Sequence, residues 1–390
     1  MTQGVGGGIT RHIADIIVNT RGIEHHLAVP PISSSLGSGA AYDRSTVLAM
    51  VRQGAEVDHV QMRRNSVDPR NLWSIVQLRR LIRRVDPSLV HAHSSIAGAL
   101  VRLANLPPAV PVIYTPNGLT TERVGRAVER ALAGLASRLV AVSESEAKQA
   151  RDWGVISPDR LVVIPNGIDV QPAPPGPDLR ALLEVPPGTP LVGTMMRLVP
   201  QKAPEEFVKV AGAVAKRRSD VHFVLIGMGP LQHRVDAEIS RQEVGTSLHQ
   251  LQHLDGASSV LDQLDVFVLP SRFEGGPYAP LEAMRAGTPV VLSDVVGNTD
   301  VIQHGVSGML AGFGETDQMA DAVVTLLEDS DLRRSMVAAA RERLQARFDA
   351  RQMGAAVERL YREVEAERMR RKTRRLPQRR SSASAHSPQS

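Results

Sequence analysis

The sequence predicts an α/β protein made of two Rossmann-like domains. Short apolar strands alternate with amphipathic helices over residues 1–170, and the same alternation begins again at residue 191. Such alternation is typical of parallel sheets covered by helices. A proline-rich stretch separates the two halves, and the 390 residues are enough for two hydrophobic cores. We therefore expect two domains, each with its own core.

The first half is predicted to contain six strands and six helices. Each strand is a short apolar run, and each helix carries apolar residues three and four positions apart. The strands are expected at His26–Val29, Val57–Val60, Leu89–Ala92, Val112–Tyr114, Leu139–Val142 and Leu161–Ile164. The helices are expected at Ile9–Asn19, Ser45–Gln53, Leu72–Arg84, Ile96–Ala104, Arg123–Leu135 and Ser145–Trp153.

Residues 171–190 contain seven prolines and are predicted to link the domains. The second domain is expected to span residues 191–345, with a further helix over residues 346–366. Its strands are expected at Leu191–Thr194, His222–Ile226, Leu248–Leu251, Val266–Leu269 and Val290–Leu292. Its helices are expected at Pro204–Arg217, Leu231–Arg241, Ala279–Ala286 and Thr316–Glu328.

The positive charge is concentrated at the C-terminus. The chain has a net charge of +5, but eight basic and no acidic residues lie between Arg368 and Arg380, which leaves −3 for the rest. We expect residues 367–390 to form a disordered, solvated tail, with weak attraction to an anionic membrane surface as the alternative. Aromatic residues make up only 3% of the chain, so a nucleic-acid partner is not expected.

The remaining composition indicates a cytoplasmic protein. Cysteine is absent, which excludes disulfides and thiolate-bound metals and is consistent with a reducing compartment. The sequence has no apolar run of membrane-spanning length and no signal-peptide pattern at residue 1. We therefore expect a cytoplasmic location, with any membrane contact being peripheral.

The N-terminus departs from the usual start of a Rossmann-like domain, in which a buried strand leads into a glycine-rich turn. Here the glycine-rich segment Gly4–Gly8 follows Met1 almost at once. We therefore expect the first domain to lack its first strand, and an upstream extension of the reading frame to supply it.

The strongest functional pattern is the segment from Val266 to Met284. A buried strand ends at Pro270, a glycine-rich loop follows, and a helix begins near Tyr278. The free backbone N–H groups at such a helix start attract phosphate. Glu274 and Glu282, eight positions apart, could each accept hydrogen bonds from two hydroxyls of a sugar or a ribose.

This segment resembles the E-x₇-E motif of the retaining GT-B glycosyltransferases of family four. The resemblance extends over nearly the whole chain. Its other landmarks are Gly7-Gly8-Ile9-Thr10-Arg11-His12, His91-Ala92-His93-Ser94-Ser95, Tyr114-Thr115-Pro116-Asn117-Gly118, Val142-Ser143-Glu144-Ser145-Glu146, Ile164-Pro165-Asn166-Gly167, Arg197-Leu198-Val199-Pro200-Gln201-Lys202 and Gly287-Thr288-Pro289. The segments His93-Ser94-Ser95-Ile96-Ala97-Gly98 and Val296-Gly297-Asn298 are similar to the bacterial exopolysaccharide, capsule and O-antigen branch.

The resemblance implies a GT-B fold, with an N-terminal acceptor domain, a C-terminal nucleotide-sugar domain and final helices that cross back. It implies transfer of a hexose with retention, from a UDP-sugar rather than GDP-mannose, to a glycan or polyprenyl-linked acceptor. Neither a metal nor a cofactor besides the nucleotide sugar is expected. Glu274 would approach the transferred sugar, Glu282 the ribose, and the loop residues Gly275, Gly276, Pro277 and Tyr278 the sugar and diphosphate.

Several other residues complete the expected donor site. A metal-free enzyme needs fixed cations at the departing diphosphate, and Arg197 and Lys202 follow the first strand of the second domain. Gly7 and Gly8 would let the backbone of the opposite domain approach the same diphosphate. Asn166 lies in a predicted turn at the end of the last strand of the first domain.

Two histidines end the strand predicted before residue 94. We expect His91 and His93 to point to opposite faces, with His91 bonded locally and His93 facing the cleft as a catalytic residue. The sequence also departs from the family pattern: Asn117 stands where relatives often carry histidine, and Ala203 stands where they carry glycine.

Three alternatives remain open at this point. Nucleotide-sugar 2-epimerases share the fold, but the four residues Arg197, Lys202, Glu274 and Glu282 favour transfer. A non-catalytic sugar-nucleotide-binding subunit is conceivable because of Asn117 and the missing strand. An NAD-dependent dehydrogenase is less favoured, because the glycine-rich turn has Ile9 in place of its last glycine.

Overall fold

The computed structural model describes residues 7–31, 50–52, 54–63, 68–119, 123–254 and 256–375, which form two α/β domains with parallel sheets. The strands are β1 His26–Val29, β2 Glu56–His59, β3 Val90–His93, β4 Val112–Thr115, β5 Arg138–Ala141, β6 Leu161–Val163, β7 Leu191–Met195, β8 His222–Ile226, β9 Leu248–Leu251, β10 Val266–Leu269, β11 Val290–Ser293 and β12 Met309–Ala311. The helices are α1 Gly8–Asn19, α2 Arg70–Val85, α3 Ser95–Ala104, α4 Arg123–Ala131, α5 Glu144–Asp152, α6 Leu179–Leu182, α7 Pro204–Arg217, α8 Gln232–Gln242, α9 Tyr278–Ala286, α10 Asn298–Val301, α11 Thr316–Glu328, α12 Ser330–Arg347 and α13 Ala350–Arg375.

The second domain is one six-stranded sheet in the order β12-β11-β10-β7-β8-β9. Its four central strands are largely buried because helices cover both faces, and Phe207, Phe223 and Phe267 are fully buried between the layers. Strand β10 pairs with β7. Because parallel neighbours end at the same sheet edge, the loops after β7 and β10 lie side by side, and ligands of such sheets bind at this edge.

The first domain contains a four-stranded sheet in the order β3-β4-β5-β6 and a separate pair, β1-β2. The last helix, α13, crosses back onto this domain. Met353, Val357 and Leu360 of α13 form a buried cluster with Ile16 of α1 and Ile113 of β4. This crossing confirms the final feature of the expected fold.

Two segments differ from the sequence prediction. Within the predicted proline-rich linker, Leu179, Leu183 and Val185 belong to the core of the second domain. This part of the segment is therefore part of that domain and not a linker between the two. Helix α13 extends to Arg375, so residues 367–375 are helical and the predicted tail begins later. Residues 376–390 lie outside the described part of the chain.

Other predictions concern regions at the edge of the described residues. Most of the helix expected at Ser45–Gln53 lies outside them, as do Gly4–Gly6. Strand β12 has no counterpart in the sequence prediction, because its three residues are too few to give a periodic pattern. Of the helices in the described ranges, none combines the length and the apolar character needed to cross a bilayer.

Candidate active site

The loop between β10 and α9 forms the centre of the cleft. A Cβ atom added at Gly275 would lie 2.7 Å from the backbone nitrogen of Gly118, and one added at Gly276 would lie 2.9 Å from Nδ2 of Asn166. Asn166 donates a hydrogen bond from Nδ2 to the carbonyl oxygen of Gly276 at 2.6 Å. The two glycines are therefore required, because turns of the first domain contact this loop directly.

Glu274 is buried at the start of this loop and is fixed from three directions. Lys202 donates from Nζ to Oε1 of Glu274 at 2.6 Å, and the Glu274 amide donates to the Val296 carbonyl at 2.9 Å. Gly297 has φ 87°, and a Cβ there would lie 2.7 Å from the Glu274 carbonyl oxygen. The structure thus joins Glu274 and Lys202, which the sequence predicts at the sugar and the diphosphate, in one ion pair.

The loop after β7 presents its cations to the same cleft. Ala203 has φ 48°, in the left-handed region that favours glycine, which explains why glycine suits this position. Arg197 is exposed, and a Cβ added at Gly7 would lie 3.8 Å from its Nε atom. A Cβ added at Gly8 would lie 3.3 Å from Cδ2 of Tyr278. Gly7 and Gly8 therefore face the second domain across the cleft, as the sequence predicts.

Glu282 lies on α9 in a group of charges that spans both domains. Burial raises the pKa of its carboxyl to about 6; Arg11 and Arg285 oppose this shift and Asp15 adds to it. Burial also raises the pKa of Asp15 to about 6, although Arg11 donates to it from Nε at 2.8 Å. The hydroxyl of Tyr278 is buried and has no hydrogen-bond partner among the described residues. Such an incompletely satisfied polar group fits a ligand-binding surface.

The histidine prediction was wrong in its geometry. The rings of His91 and His93 lie 4.1 Å apart, since residues two positions apart on a strand point to the same face. His91 bonds from Nδ1 to Tyr361 at 2.6 Å and from Nε2 to Thr115 at 2.7 Å. His93 is only 3% exposed, and burial holds its pKa well below the usual range, so its ring is neutral.

Two carboxylates that the sequence analysis did not select organise the cleft. Glu146 is fully buried and accepts hydrogen bonds from the amides of Gly118, at 2.6 Å, and Val142, at 2.8 Å. Asp300 accepts at 3.0 Å from the Glu144 amide at the start of α5, which joins the domains. Glu146 stands three residues after the N-cap Ser143, a pattern that predicts only a capping box.

The charged and backbone groups of the site are of the kind that bind phosphate. Among the residues in the described ranges, no three His, Asp or Glu side chains are grouped as metal ligands. Its features are instead a glycine-rich loop before α9, a buried carboxylate paired with Lys202, and the exposed guanidinium of Arg197. Backbone N–H groups at a helix start and fixed cations together bind phosphate oxygens.

Comparison with known proteins supports this chemistry. Residues 6–172 match the family model described as Glycosyltransferase Family 4, and residues 177–343 match Glycosyl transferases group 1. The HepE protein of Anabaena, solved with UDP and glucose, superposes with a TM-score of 0.77 at 20% identity, covering 92% of this chain and 97% of that one. Sucrose-phosphate synthase of Thermosynechococcus elongatus gives 0.76 at 19% identity, covering 94% and 95%.

Relatives by sequence carry related names. The chain is 30% identical over 311 residues to alpha-maltose-1-phosphate synthase of Mycolicibacterium smegmatis, covering 72% of this chain and 80% of that protein. It is 28% identical over 284 residues to UDP-Gal:alpha-D-GlcNAc-diphosphoundecaprenol alpha-1,3-galactosyltransferase of Escherichia coli, covering 67% and 72%.

The fold and the site define a GT-B glycosyltransferase that takes its sugar from a nucleotide sugar. These relatives are named as transferases and synthases, which favours the transferase over the epimerase, binding-subunit and dehydrogenase alternatives. The chain belongs to glycosyltransferase family 4.

The raised pKa of Glu282 predicts a pH-dependent cost in stability. Its folded-state pKa of about 6 lies above the ordinary 4.5, so stability is lost as pH rises through this window. Glu282→Gln removes this titration. Relative to the unchanged protein, we expect its free energy of unfolding to gain about 1 to 2 kcal/mol between pH 4.5 and pH 8. Urea unfolding at both pH values measures this gain.

The matched control is Glu342→Gln on the exposed face of α12. Its difference in free energy of unfolding from the unchanged protein should be the same at both pH values. A Glu282→Gln difference that does not change with pH would contradict the assignment of this titration.

Proposed function

We propose that the protein transfers a hexose from a UDP-sugar, with retention of configuration and without a metal, to a polyprenyl-linked or glycan acceptor in cell-surface polysaccharide synthesis. The names of two similar proteins support this choice: the E. coli enzyme is a UDP-Gal transferase acting on a diphosphoundecaprenol acceptor, and HepE was solved with UDP and glucose. The first domain would bind the acceptor and the second the donor.

One observation carries the proposal: the pair of half-buried Lys202 and buried Glu274, with a 2.6 Å contact at the glycine-rich loop. Held by Glu274, the ammonium group is a fixed positive charge beside the start of α9. A diphosphate leaving group gains negative charge as the sugar departs, and a preorganised cation stabilises that charge. The departing phosphate would then accept the proton of the attacking hydroxyl on the same face of the sugar.

Arg197 would be the second cation at the diphosphate, and Tyr278, Gly275 and Gly276 would line the path of the transferred sugar. Glu282 would accept hydrogen bonds from the ribose, which fits its place among charges at the domain interface. For His93, a neutral buried ring suits a hydrogen bond to the sugar or acceptor, because Nδ1 has no partner among the described residues.

Donor hydrolysis with a panel of UDP- and GDP-hexoses tests the proposal directly. We expect turnover with a UDP-hexose, release of the free sugar first as the α-anomer from an α-linked donor by NMR, and no change on adding EDTA. A strict requirement for Mg²⁺ or Mn²⁺ would contradict the metal-free mechanism. Conversion of the UDP-sugar to its 2-epimer would instead support the isomerase alternative.

Substitutions of Lys202, Glu274 and Glu282 should differ in which kinetic constant they change. Lys202→Met is expected to lower kcat by about two to three orders of magnitude, as when one oxyanion donor is removed. Glu274→Gln should also lower kcat mainly, since its contact strengthens as positive charge develops on the sugar ring. Glu282→Gln should mainly raise the donor KM, because ribose is bound equally in ground and transition states. Steady-state kinetics with the best donor measures both constants.

Because Glu274 is buried with Lys202 as its partner, these substitutions could destabilise the fold. Melting temperatures separate such misfolding from the kinetic effects. Lys209→Met, at a half-exposed position on α7, is the matched control and should leave kcat unchanged. His93→Ala should lower kcat, whereas a change in melting temperature alone would make His93 a packing residue. A kinetically silent Glu274→Gln would overturn the central assignment.

We further propose that the basic end of α13 contacts anionic membranes. Arg368 donates from Nη1 to the carbonyls of Pro87 and Ser88, at 3.0 and 2.8 Å, so this end lies against the turn after α2. Arg370, Arg371 and Lys372 are exposed. Together these features suit a peripheral protein that acts on a lipid-linked acceptor.

Vesicle sedimentation tests the membrane contact. The protein should bind vesicles containing a third phosphatidylglycerol and not pure phosphatidylcholine, because each basic residue near an anionic surface contributes about 1 kcal/mol. The triple variant Arg370→Glu, Arg371→Glu, Lys372→Glu should lose this binding, while Arg234→Glu on α8 should retain it. Equal binding by both variants would argue against this surface.

A further inference from the structure

The helix that crosses back, α13, reaches the strand that carries His93. Tyr361 lies on this helix and is buried against the first domain. Its hydroxyl oxygen lies 2.6 Å from Nδ1 of His91 on β3, a residue 270 positions earlier in the chain. The two rings meet edge to face, with their centroids 5.6 Å apart. A helix that follows the second domain therefore contacts the histidine pair of the first.

His91 is bonded at both ring nitrogens. Its Nε2 lies 2.7 Å from the hydroxyl oxygen of Thr115. Burial holds the pKa of His91 well below its usual range, so the ring is neutral and carries one proton. A phenol is a stronger donor than an aliphatic hydroxyl. Tyr361 therefore donates to Nδ1, and the Nε2–H group of His91 donates to Thr115.

These two hydrogen bonds fix the His91 ring where packing alone does not. His91, His93 and Tyr361 all line a partly open cavity of about 630 Å³ between β1 and β3. A side chain in a close-packed interior is held on every side, whereas a ring beside free space can turn. Without the bond at Nδ1, the His91 ring would be free to rotate and to carry its proton on either nitrogen.

Ring contacts hold His93 in place. Its buried Nδ1 has no hydrogen-bond partner among the residues of the described ranges. Its ring lies 4.1 Å from the ring of His91, with the two planes inclined by 35°. On another side, the ring of His12 lies 5.2 Å away and is inclined by 67°. The orientation of His93 therefore depends on the orientation of His91.

We propose that Tyr361 is a positioning residue for His93: its hydroxyl fixes the ring of His91, and that ring in turn holds His93 in the orientation it needs. This inference rests on the proposed role of His93, a hydrogen bond to the sugar or the acceptor. It makes α13 a part of the site as well as of the core, because one hydroxyl group on this helix determines how a residue at the end of β3 is presented.

Tyr361→Phe tests the inference because it removes the hydroxyl and keeps the buried ring. We expect kcat with the best donor to fall about three- to tenfold, as when one hydrogen bond is lost, and the donor KM to stay within about twofold. The matched control is Val364→Ala, which removes packing from the same buried cluster of α13. This control should lower the melting temperature and leave kcat unchanged.

A double-mutant cycle shows whether the effect passes through His93. In a His93→Ala background, Tyr361→Phe should change kcat by less than about twofold, because the ring that it positions is gone. Thr115→Val removes the other hydrogen bond of His91 and should behave in the same way in both backgrounds. It gives an independent measurement if Tyr361→Phe does not fold.

Two results would refute the inference while leaving the role of His93 intact. One is an unchanged kcat for Tyr361→Phe, and the other is a double variant in which the two single effects multiply. A loss of stability without a loss of kcat, as in the control, belongs to the first result. A kinetically silent His93→Ala would instead refute the proposed role of His93, and the inference with it.

Discussion

The close approach of two backbones at the glycine-rich loop is the constraint on which the cleft depends. Gly275 and Gly276 contact turns of the first domain, and Gly297 contacts the backbone of Glu274. A side chain at any of these positions would separate the parts that must meet, because interiors are packed without spare volume. The Asn166 hydrogen bond to Gly276 and the Asp300 contacts with α5 then hold the two domains in a fixed relative position.

Around this contact, the site keeps several carboxylates in surroundings that oppose their charge. Glu274 is compensated by Lys202 and Glu146 by two backbone amides, whereas Glu282 and Asp15 share the field of a few arginines. Burying a charge costs stability unless partners replace its water. Glu274 and Glu146 have such partners, whereas burial raises the pKa of Glu282 and of Asp15 to about 6.

The parallel sheet is continuous in the second domain and divided in the first. In the second domain, six parallel strands lie side by side with helices on both faces. In the first domain, helices cover both faces of β1 and β3, but these two strands do not pair with each other, and a cavity lies between them. The glycine-rich turn at Gly7 lies next to Arg197 of the second domain, and α1, which begins at Gly8, contributes Ile13 to the lining of this gap. Helix α1 therefore connects the divided sheet of the first domain to the cleft.

The sequence by itself determined the alternation of elements, most strand positions to within a residue, and the family, because periodicity and motif spacing are local properties. Tertiary structure alone decided which groups meet. Lys202 and Glu274 are 72 positions apart, and their ion pair exists because β7 and β10 are neighbours. The role of Glu146 also depends on a turn 28 residues away. Packing, which no local pattern encodes, set the Leu179 segment into the core and left the space between β1 and β3.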